Sequence, residues 1–322
     1  MDSDVKNKDA EISEAISAIA KDLSVFVNLL TDFGFKRVFG IKEVMLDFLN
    51  TVLDIEGGIA DLTYSNVEIP GLTKEDRKAI FDLICITGKN ERIIVEMQTI
   101  EQEHYKDRML TYASQLIQEQ NVKGKVGNKD WNFKLYPVYS VNILKFCLNK
   151  NVKTRKFLSY VQLMDRKTRE VFTDKLTFVC IELPRFGKKL KNVKTGLEQW
   201  VYLIKHLHEM KGVPEKLKNE VFEKIFEMAK IAKMNKKEVY KYIKSLNEMN
   251  IVQNEINRRD RAIAQVSAER DTAWAERDSA WNTVATVTAE RDNAWAERDN
   301  AWNALAQKNK EIAEYRRLLG LN

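Results

Sequence analysis

Apolar residues in the first two thirds of the chain recur with the periods of strands and helices. Two runs rich in branched apolar residues within 79–99, one before and one after the turn signal Gly88-Lys89-Asn90, predict a β-hairpin. Both runs are apolar on both faces, as in strands from the middle of a sheet. Further strands are predicted over 62–69, 136–147, 157–164 and 176–183. Helices are predicted over 42–53, 104–120 and, with a break at 212–214, 193–250.

The predicted hairpin contains two carboxylates in apolar surroundings. If its strands pair about Lys89, Asp82 lies opposite Glu96, with Cβ atoms about 4.5–5.5 Å apart. Two like charges this close raise a pKa, whereas a divalent ion such as Mg²⁺ removes the conflict. Gln98 follows on the same face, where its amide can orient a water or a phosphate oxygen. The alternative is that both carboxylates lie at a wet sheet edge.

The helix predicted over 104–120 has a polar stripe. Arg108, Tyr112 and Gln115 recur at i, i+4 and i+7, so they share one face that can line a cleft. The apolar residues expected to face the sheet are Leu110, Ala113, Leu116 and Ile117. This helix is therefore a candidate to carry substrate-binding side chains.

Composition favours an intracellular protein with a packed core. Of 322 residues, 44% are hydrophobic and the mean hydropathy is −0.42. No run reaches the ~18–20 apolar residues of a membrane helix, and the polar, acidic N-terminus does not resemble a secretory signal. Cys85, Cys147 and Cys180 lie in separate apolar runs, as buried thiols of a reducing cytoplasm do. We predict a cytoplasmic protein without a membrane partner.

Positive charge is concentrated in one segment. The chain carries a net charge of +6, and residues 185–250 hold 16 Lys and Arg against 8 Asp and Glu. Such clustering suits a phosphate backbone. A lysine-rich helical surface without a nucleic-acid role explains the clustering equally well.

The tail follows a seven-residue register from Met249 onward. Its segment 269–282, ERDTAWAERDSAWN, recurs three heptads later at 290–303 as ERDNAWAERDNAWN. Each of four tryptophans follows an arginine by four residues and can make a cation–π contact: Trp274, Trp281, Trp295 and Trp302. The register predicts a coiled coil that forms a homo-oligomer. The alternative is a single helix produced by repeat expansion.

These motifs together resemble the PD-(D/E)XK nuclease-type transposases. The resemblance rests on four motifs: Asp82 with Glu96-x-Gln98, Arg108-x-x-x-Tyr112, Thr31-Asp32-x-x-Phe35-Lys36-x-x-Phe39-Gly40, and the strand Pro137-Val138-Tyr139. More narrowly, the chain is similar to the Rpn family of recombination-promoting nucleases, common in bacteria. The resemblance spans about 28–185 and continues more loosely to 250. It implies an α/β fold with a restriction-endonuclease-like core, in which helices flank a mixed central sheet.

The resemblance also implies roles for individual residues. Asp82 and Glu96 match the family's metal ligands, and Asp32 and Lys36 match an acidic and a basic position on the first helix. Gln98 stands where the broader superfamily has lysine, so Lys36 or Arg108 is a candidate replacement for that charge. Alternatively, Lys36 only pairs with Asp32 on a helix surface.

We therefore expect an endonuclease that hydrolyses DNA with Mg²⁺ or Mn²⁺ in the bacterial cytoplasm. The altered position at Gln98 leaves a second possibility, a weak or inactive nuclease fold that binds DNA or acts as a scaffold. The expected organisation is an N-terminal helical extension, a nuclease-like domain, a basic helical segment and a coiled coil, at 1–30, 31–185, 186–248 and 249–322.

Overall fold

The computed structural model of the chain describes residues 25–65, 68–69, 79–80, 82–121, 133–150, 152, 154 and 156–319. Most of the helical extension expected over 1–30 lies outside these residues. The chain forms two compact units, Met1–Val252 and Gln253–Asn322.

The described residues form helices and strands in an order close to the predicted one. The helices are α1 (Asp32–Phe39), α2 (Lys42–Val52), α3 (Tyr105–Gln118), α4 (Gly196–His206), α5 (Glu220–Ala229) and α6 (Lys236–Leu318). The strands are β1 (Leu62–Tyr64), β2 (Glu68–Ile69), β3 (Ala79–Ile80), β4 (Leu83–Thr87), β5 (Arg92–Gln98), β6 (Val138–Leu144), β7 (Leu158–Gln162) and β8 (Leu176–Glu182).

Six strands form a mixed sheet in the order β1-β4-β5-β6-β8-β7. The pairs β5–β6 and β6–β8 are parallel, and the other pairs are antiparallel. Strands β2 and β3 pair separately. The predicted α/β fold, with a mixed central sheet flanked by helices, is confirmed.

The two faces of the sheet are covered by different helices. Alternate residues of a strand point to opposite faces, so Ile93 and Val95 of β5 face one layer and Ile94 faces the other. The first layer, which we call the apolar face, packs against the buried residues of α1, α2, α4 and α5. The second layer, the α3 face, packs against Met109, Ala113 and Leu116 of α3. The basic segment after 185 therefore shares the main hydrophobic core.

The structure corrects the phase of the helix over 104–120. Leu110, expected to face the sheet, is 47% exposed, and Met109 is buried in its place. Ala113 and Leu116 are buried as predicted, while Ile117 is only partly covered. The apolar stripe of α3 thus follows the spacing 109, 113 and 116, which excludes position 110.

Two predicted strands are each broken into two. The run 62–69 gives the short strands β1 and β2, and the run 79–87 gives β3 and β4. Asp82 lies in a bend before β4. Its backbone N–H donates to the Glu96 side chain, not to a neighbouring strand, which accounts for the interruption at this position.

Helix α1 is held by contacts at both ends. The Thr31 side chain caps its first turn by accepting from the Gly34 N–H. A Cβ at Gly34 would lie 2.2 Å from the Asn28 carbonyl oxygen, so only glycine fits there. Arg37 bonds to Glu238 at the start of α6 and to the Met228 carbonyl oxygen. These contacts fix the helix that carries Asp32 and Lys36.

The second unit is helical and exposed. In it, the guanidinium of Arg270 lies 4.8 Å from the centroid of the Trp274 ring, and that of Arg291 lies 4.9 Å from Trp295. Two of the four predicted Arg–Trp contacts are therefore present among the described residues of this helix.

Two further features concern the cysteines and the hydrophobicity of the helices. Cys85 and Cys180 are buried free thiols, and burial raises the pKa of each to about 12, whereas Cys147 is only half-buried. No helix in the described parts of the chain combines the length and the apolar character that crossing a membrane requires.

Candidate active site

The hairpin brings the two predicted carboxylates together. Strands β4 and β5 pair Leu83 with Val95 and Ile84 with Ile94, which confirms the predicted register about Lys89. Each carboxylate also accepts a backbone hydrogen bond at the end of this ladder. The Asp82 N–H donates to Glu96 Oε1 (3.1 Å), and the Met97 N–H donates to Asp82 Oδ2 (2.8 Å). The Asp82 backbone therefore orients the Glu96 carboxylate, and the backbone of Met97, next to Glu96, orients the Asp82 carboxylate.

Burial makes this pair electrostatically unusual. Glu96 is 4% exposed. Burial, followed by the neighbouring Asp82 carboxylate, raises the pKa of Glu96 to about 7. Burial also raises the pKa of Asp82, although its bond from the Met97 N–H opposes the shift. Glu96 is thus not at a wet sheet edge, and the pair holds a proton more tightly than ordinary carboxylates do.

Helix α3 supplies a cation to the pair. Arg108 Nη2 lies 3.4 Å from Glu96 Oε2, and its guanidinium carbon lies 4.9 Å from the centroid of the Tyr112 ring. Gln115 lies about two turns further along and is half-buried. Arg108 Nε and Gln115 Oε1 are buried atoms without a hydrogen-bond partner in the described part of the chain. Arg108 of the predicted stripe therefore reaches Glu96, and Arg108 and Gln115 both have unused hydrogen-bonding capacity.

Helix α1 places a second pair of charges nearby. Lys36 Nζ lies 2.7 Å from Asp32 Oδ1, and both side chains are about half exposed. Beyond the larger effects of burial and the Met97 N–H, Lys36 lowers the pKa of Asp82 and Asp32 raises it. Lys36 is therefore both the surface partner of Asp32 and a cation that acts on the carboxylate pair.

Gln98 is engaged elsewhere. Its Nε2 donates to the Ile100 carbonyl oxygen (3.0 Å), so the amide holds the loop that follows β5. Within the described residues, no hydrogen bond joins the Gln98 side chain to Asp82 or Glu96. The structure does not bring Gln98 into the cluster of charged groups.

A buried polar network beside Glu96 was missed by sequence reasoning. Asn142 pairs with Glu96 in the parallel register of β5 and β6 and is 1% exposed. Its Oδ1 accepts from the Tyr105 hydroxyl (3.0 Å), and its Nδ2 donates to the carbonyl and hydroxyl oxygens of Ser140. Burial, followed by the Glu96 carboxylate, raises the pKa of Tyr105, which therefore stays protonated. An asparagine within the apolar run VYSVNIL was the available signal.

Comparison with known proteins identifies the family. Residues 29–258 match the sequence model of the PD-(D/E)XK nuclease family transposases. No curated protein and no solved structure matches the chain. The matched stretch covers well over half of the 322 residues and includes every site residue predicted from the sequence. The suspected family is confirmed, and the family name indicates a function of the nuclease type. The chain belongs to the PD-(D/E)XK nuclease family transposases.

Proposed function

We propose that this protein is a metal-dependent DNA endonuclease of the recombination-promoting type, which hydrolyses phosphodiester bonds in the bacterial cytoplasm. The observation that carries the proposal is the pair of carboxylates, partly buried Asp82 and buried Glu96, each held by a backbone N–H and each with a raised pKa. Family membership supports the nuclease class, and it makes DNA the expected partner.

The donor set fits a hard divalent ion such as Mg²⁺ or Mn²⁺. Asp82 and Glu96 offer carboxylate oxygens, and the bonds already made use only part of their acceptor capacity. In the described part of the chain, no group of three or more His, Cys, Asp or Glu is arranged to hold a metal. Two carboxylates are nevertheless sufficient for Mg²⁺, which usually keeps several waters and binds substrate phosphate.

A divalent ion would activate the phosphate and the attacking water, whereas side chains of this protein would stabilise the charge that develops on the phosphate. When bound, a divalent ion polarises a phosphate oxygen and lowers the pKa of water. Arg108, whose buried Nε has no hydrogen-bond partner among the described residues, can donate to a phosphate oxygen and stabilise negative charge that develops there. Lys36 adds a second positive charge on the α1 side. Together these cations replace the charge that Gln98 lacks.

Tyr112 and Gln115 are proposed to contact the substrate. Tyr112 supports the Arg108 guanidinium from one side. The buried Gln115 Oε1 has no hydrogen-bond partner among the described residues, and a DNA or water donor would satisfy it. Asp32 limits how far Lys36 can extend, because the two side chains form an ion pair.

Oligomerisation through the tail belongs to the same proposal. The helix continues through the predicted heptads to Leu318, and its apolar seam residues from Ile263 onward are exposed in the single chain. Association would bury these residues. Two joined catalytic units would suit double-strand cleavage, since each site cuts one strand.

One observation favours the alternative of a weak or inactive nuclease fold. Gln98 is uncharged where the superfamily usually has lysine, and its amide donates to the Ile100 carbonyl oxygen instead of pointing its hydrogen bond at the carboxylate pair. In that case the fold would bind DNA or act as a scaffold without cutting.

Cleavage of supercoiled plasmid distinguishes the two functions. We would compare wild type and Asp82→Ala with and without Mg²⁺, using Asp54→Ala, an exposed aspartate outside the site, as the matched control. Nicking that requires the metal, survives in the control and disappears in Asp82→Ala supports the nuclease. Activity that survives Asp82→Ala refutes the site. Salt-sensitive DNA binding by all three proteins without cleavage supports the scaffold.

A further inference from the structure

The seam of the tail helix has an unusual composition. Among the a and d positions of the predicted heptads, arginine at a recurs with alanine at d. The arginines are Arg270, Arg277, Arg291 and Arg298, and the alanines are Ala273, Ala280, Ala294 and Ala301. Between the two copies, one heptad places Val284 at a and Val287 at d. All these residues lie on α6 and are exposed in the single chain.

A parallel, in-register pair of such helices packs poorly. In that arrangement each a residue faces its own copy, and so does each d residue. Every seam arginine would then face another arginine, which costs free energy through like-charge repulsion. Each alanine would face an alanine and leave the seam underfilled. In the duplicated segment, layers in which two arginines repel each other would alternate with layers that two alanines leave underfilled.

An antiparallel pair removes both defects. Reversing one helix exchanges the two seam positions, so that each a residue faces a d residue. With the two-fold axis between Val284 and Val287, the valines of one copy face those of the other. The four arginine layers then become Arg270–Ala301, Arg277–Ala294, Arg291–Ala280 and Arg298–Ala273. A large side chain meets a small one in each layer.

The same register also matches residues outside the duplication. Val266 faces Leu305, and Ile256 faces Tyr315, so apolar layers lie on both sides of the arginine layers. Two mixed layers, Ile263–Lys308 and Arg259–Ile312, place a long methylene stem against isoleucine. A shift of one heptad in one direction makes Arg270 face Lys308, and in the other it makes Val266 face Arg298. The complementarity is therefore specific to one register.

The structure shows how the seam arginines can be accommodated. Arg270 Nη2 lies 2.7 Å from Asp271 Oδ1, and the other three seam arginines pair with the following aspartate in the same way. The Arg270 guanidinium also lies over Trp274. The charged group is thus held at the side of its own helix, while the methylene stem remains free to cover an alanine.

We infer that the second unit binds the second unit of another copy of this chain as an antiparallel two-stranded coiled coil, with its two-fold axis between Val284 and Val287. The inference rests on the oligomerisation in the proposed function and adds the orientation and register. It does not depend on nuclease activity.

Disulfide trapping in the full-length chain tests the orientation. The background is Cys147→Ser, because Cys147 is the one native cysteine that is not fully buried. Ala273→Cys and Arg298→Cys proteins carrying different tags are co-expressed to give the mixed sample, each is also expressed alone, and all samples are oxidised. Ala275→Cys, at an outward heptad position, is the control. Sedimentation equilibrium of wild type measures the oligomeric state independently.

The antiparallel register predicts a crosslink between Ala273→Cys and Arg298→Cys, and none when either variant is oxidised alone. Crosslinking of Ala273→Cys with itself in a dimer overturns the orientation but leaves oligomerisation intact. A dimer without either crosslink overturns the register. A monomer in sedimentation overturns the oligomerisation as well, whereas plasmid cleavage reports on the nuclease alone.

Discussion

The two faces of the central sheet are built from the same strands but have different chemistry. On the apolar face, Val95, Val141 and Val179 pack against helices in the main core. On the α3 face, the neighbouring strand residues Glu96 and Asn142 are polar, although they are just as deeply buried. One step along β5 therefore separates a residue that stabilises the fold from one that is costly to bury.

This difference teaches that burial alone does not identify a core residue. The polar groups of the α3 face are satisfied by specific partners: backbone N–H groups for the carboxylates, Arg108 for Glu96, and Tyr105 for Asn142. A buried carboxylate pair contributes little to stability, so its presence is better explained by chemistry. Substitutions on the two faces should then affect different properties.

The largest effect is expected from Glu96→Gln. Loss of a proposed metal ligand should remove several kcal/mol of transition-state stabilisation, which lowers the plasmid cleavage rate at least about a thousandfold. The free energy of unfolding of the metal-free protein should not fall, because glutamine keeps the shape without the buried charge. Cleavage assays and urea unfolding measure the two quantities. A lower free energy of unfolding for Glu96→Gln would contradict the view that Glu96 serves chemistry rather than stability.

The reverse result is expected from Ile93→Ala, on the apolar face of the same strand. Ile93 is fully buried, so the truncation should lower the free energy of unfolding by about 2–5 kcal/mol. The protein that remains folded should cleave at a rate close to that of wild type. Urea unfolding, with cleavage measured well below the transition, checks both parts. A selective loss of cleavage without loss of stability would mean that the apolar face takes part in the chemistry.

The raised pKa of Glu96 predicts how stability depends on pH. The folded state holds the Glu96 proton up to a pKa of about 7, compared with an ordinary value of 4.5. Between these values the folded state binds more protons than the unfolded state, so the free energy of unfolding falls as pH rises. The expected loss is about 3 kcal/mol for metal-free wild type relative to Glu96→Gln. Parallel urea unfolding curves from pH 4 to 8 with a chelator measure it, and parallel profiles for both proteins would refute the shift.

A smaller effect is expected from Tyr105→Phe. Removing the hydroxyl leaves the buried Asn142 Oδ1 without its donor, which should cost about 1–3 kcal/mol of unfolding free energy. Tyr240→Phe, at an exposed tyrosine, is the matched control. Thermal or urea unfolding compares them, and equal stability of the two variants would show that the polar network is not coupled to the fold.

The sequence was sufficient to predict the parts of the fold that depend on local patterns. The turn at Gly88-Lys89-Asn90 set the register of the hairpin, and Asn90 adopts the positive φ of 65° that such turns favour. The opposition of Asp82 and Glu96 followed from this register. The strand runs after residue 136 were also found within a few residues of their observed ends.

Features that depend on tertiary contacts were not predictable in the same way. The break at Asp82 arises because its N–H donates to a side chain distant in sequence. The contact between Tyr105 and Asn142 requires α3 to lie over β6, which no periodicity specifies. Likewise, Gln98 was expected beside the carboxylates, but a carbonyl two residues further on, at Ile100, binds its amide.

The repeat in the tail helix has a consequence for how the protein can vary in length. The two copies are displaced by a whole number of heptads. In the antiparallel pair, each seam arginine of one helix faces an alanine of the other, and the valines face each other. Gain or loss of a complete copy would therefore preserve the facing of arginine and alanine. Each such step changes the helix by roughly 30 Å, at the rise of an α-helix. The number of copies would therefore set the distance between the two ends of the paired helices.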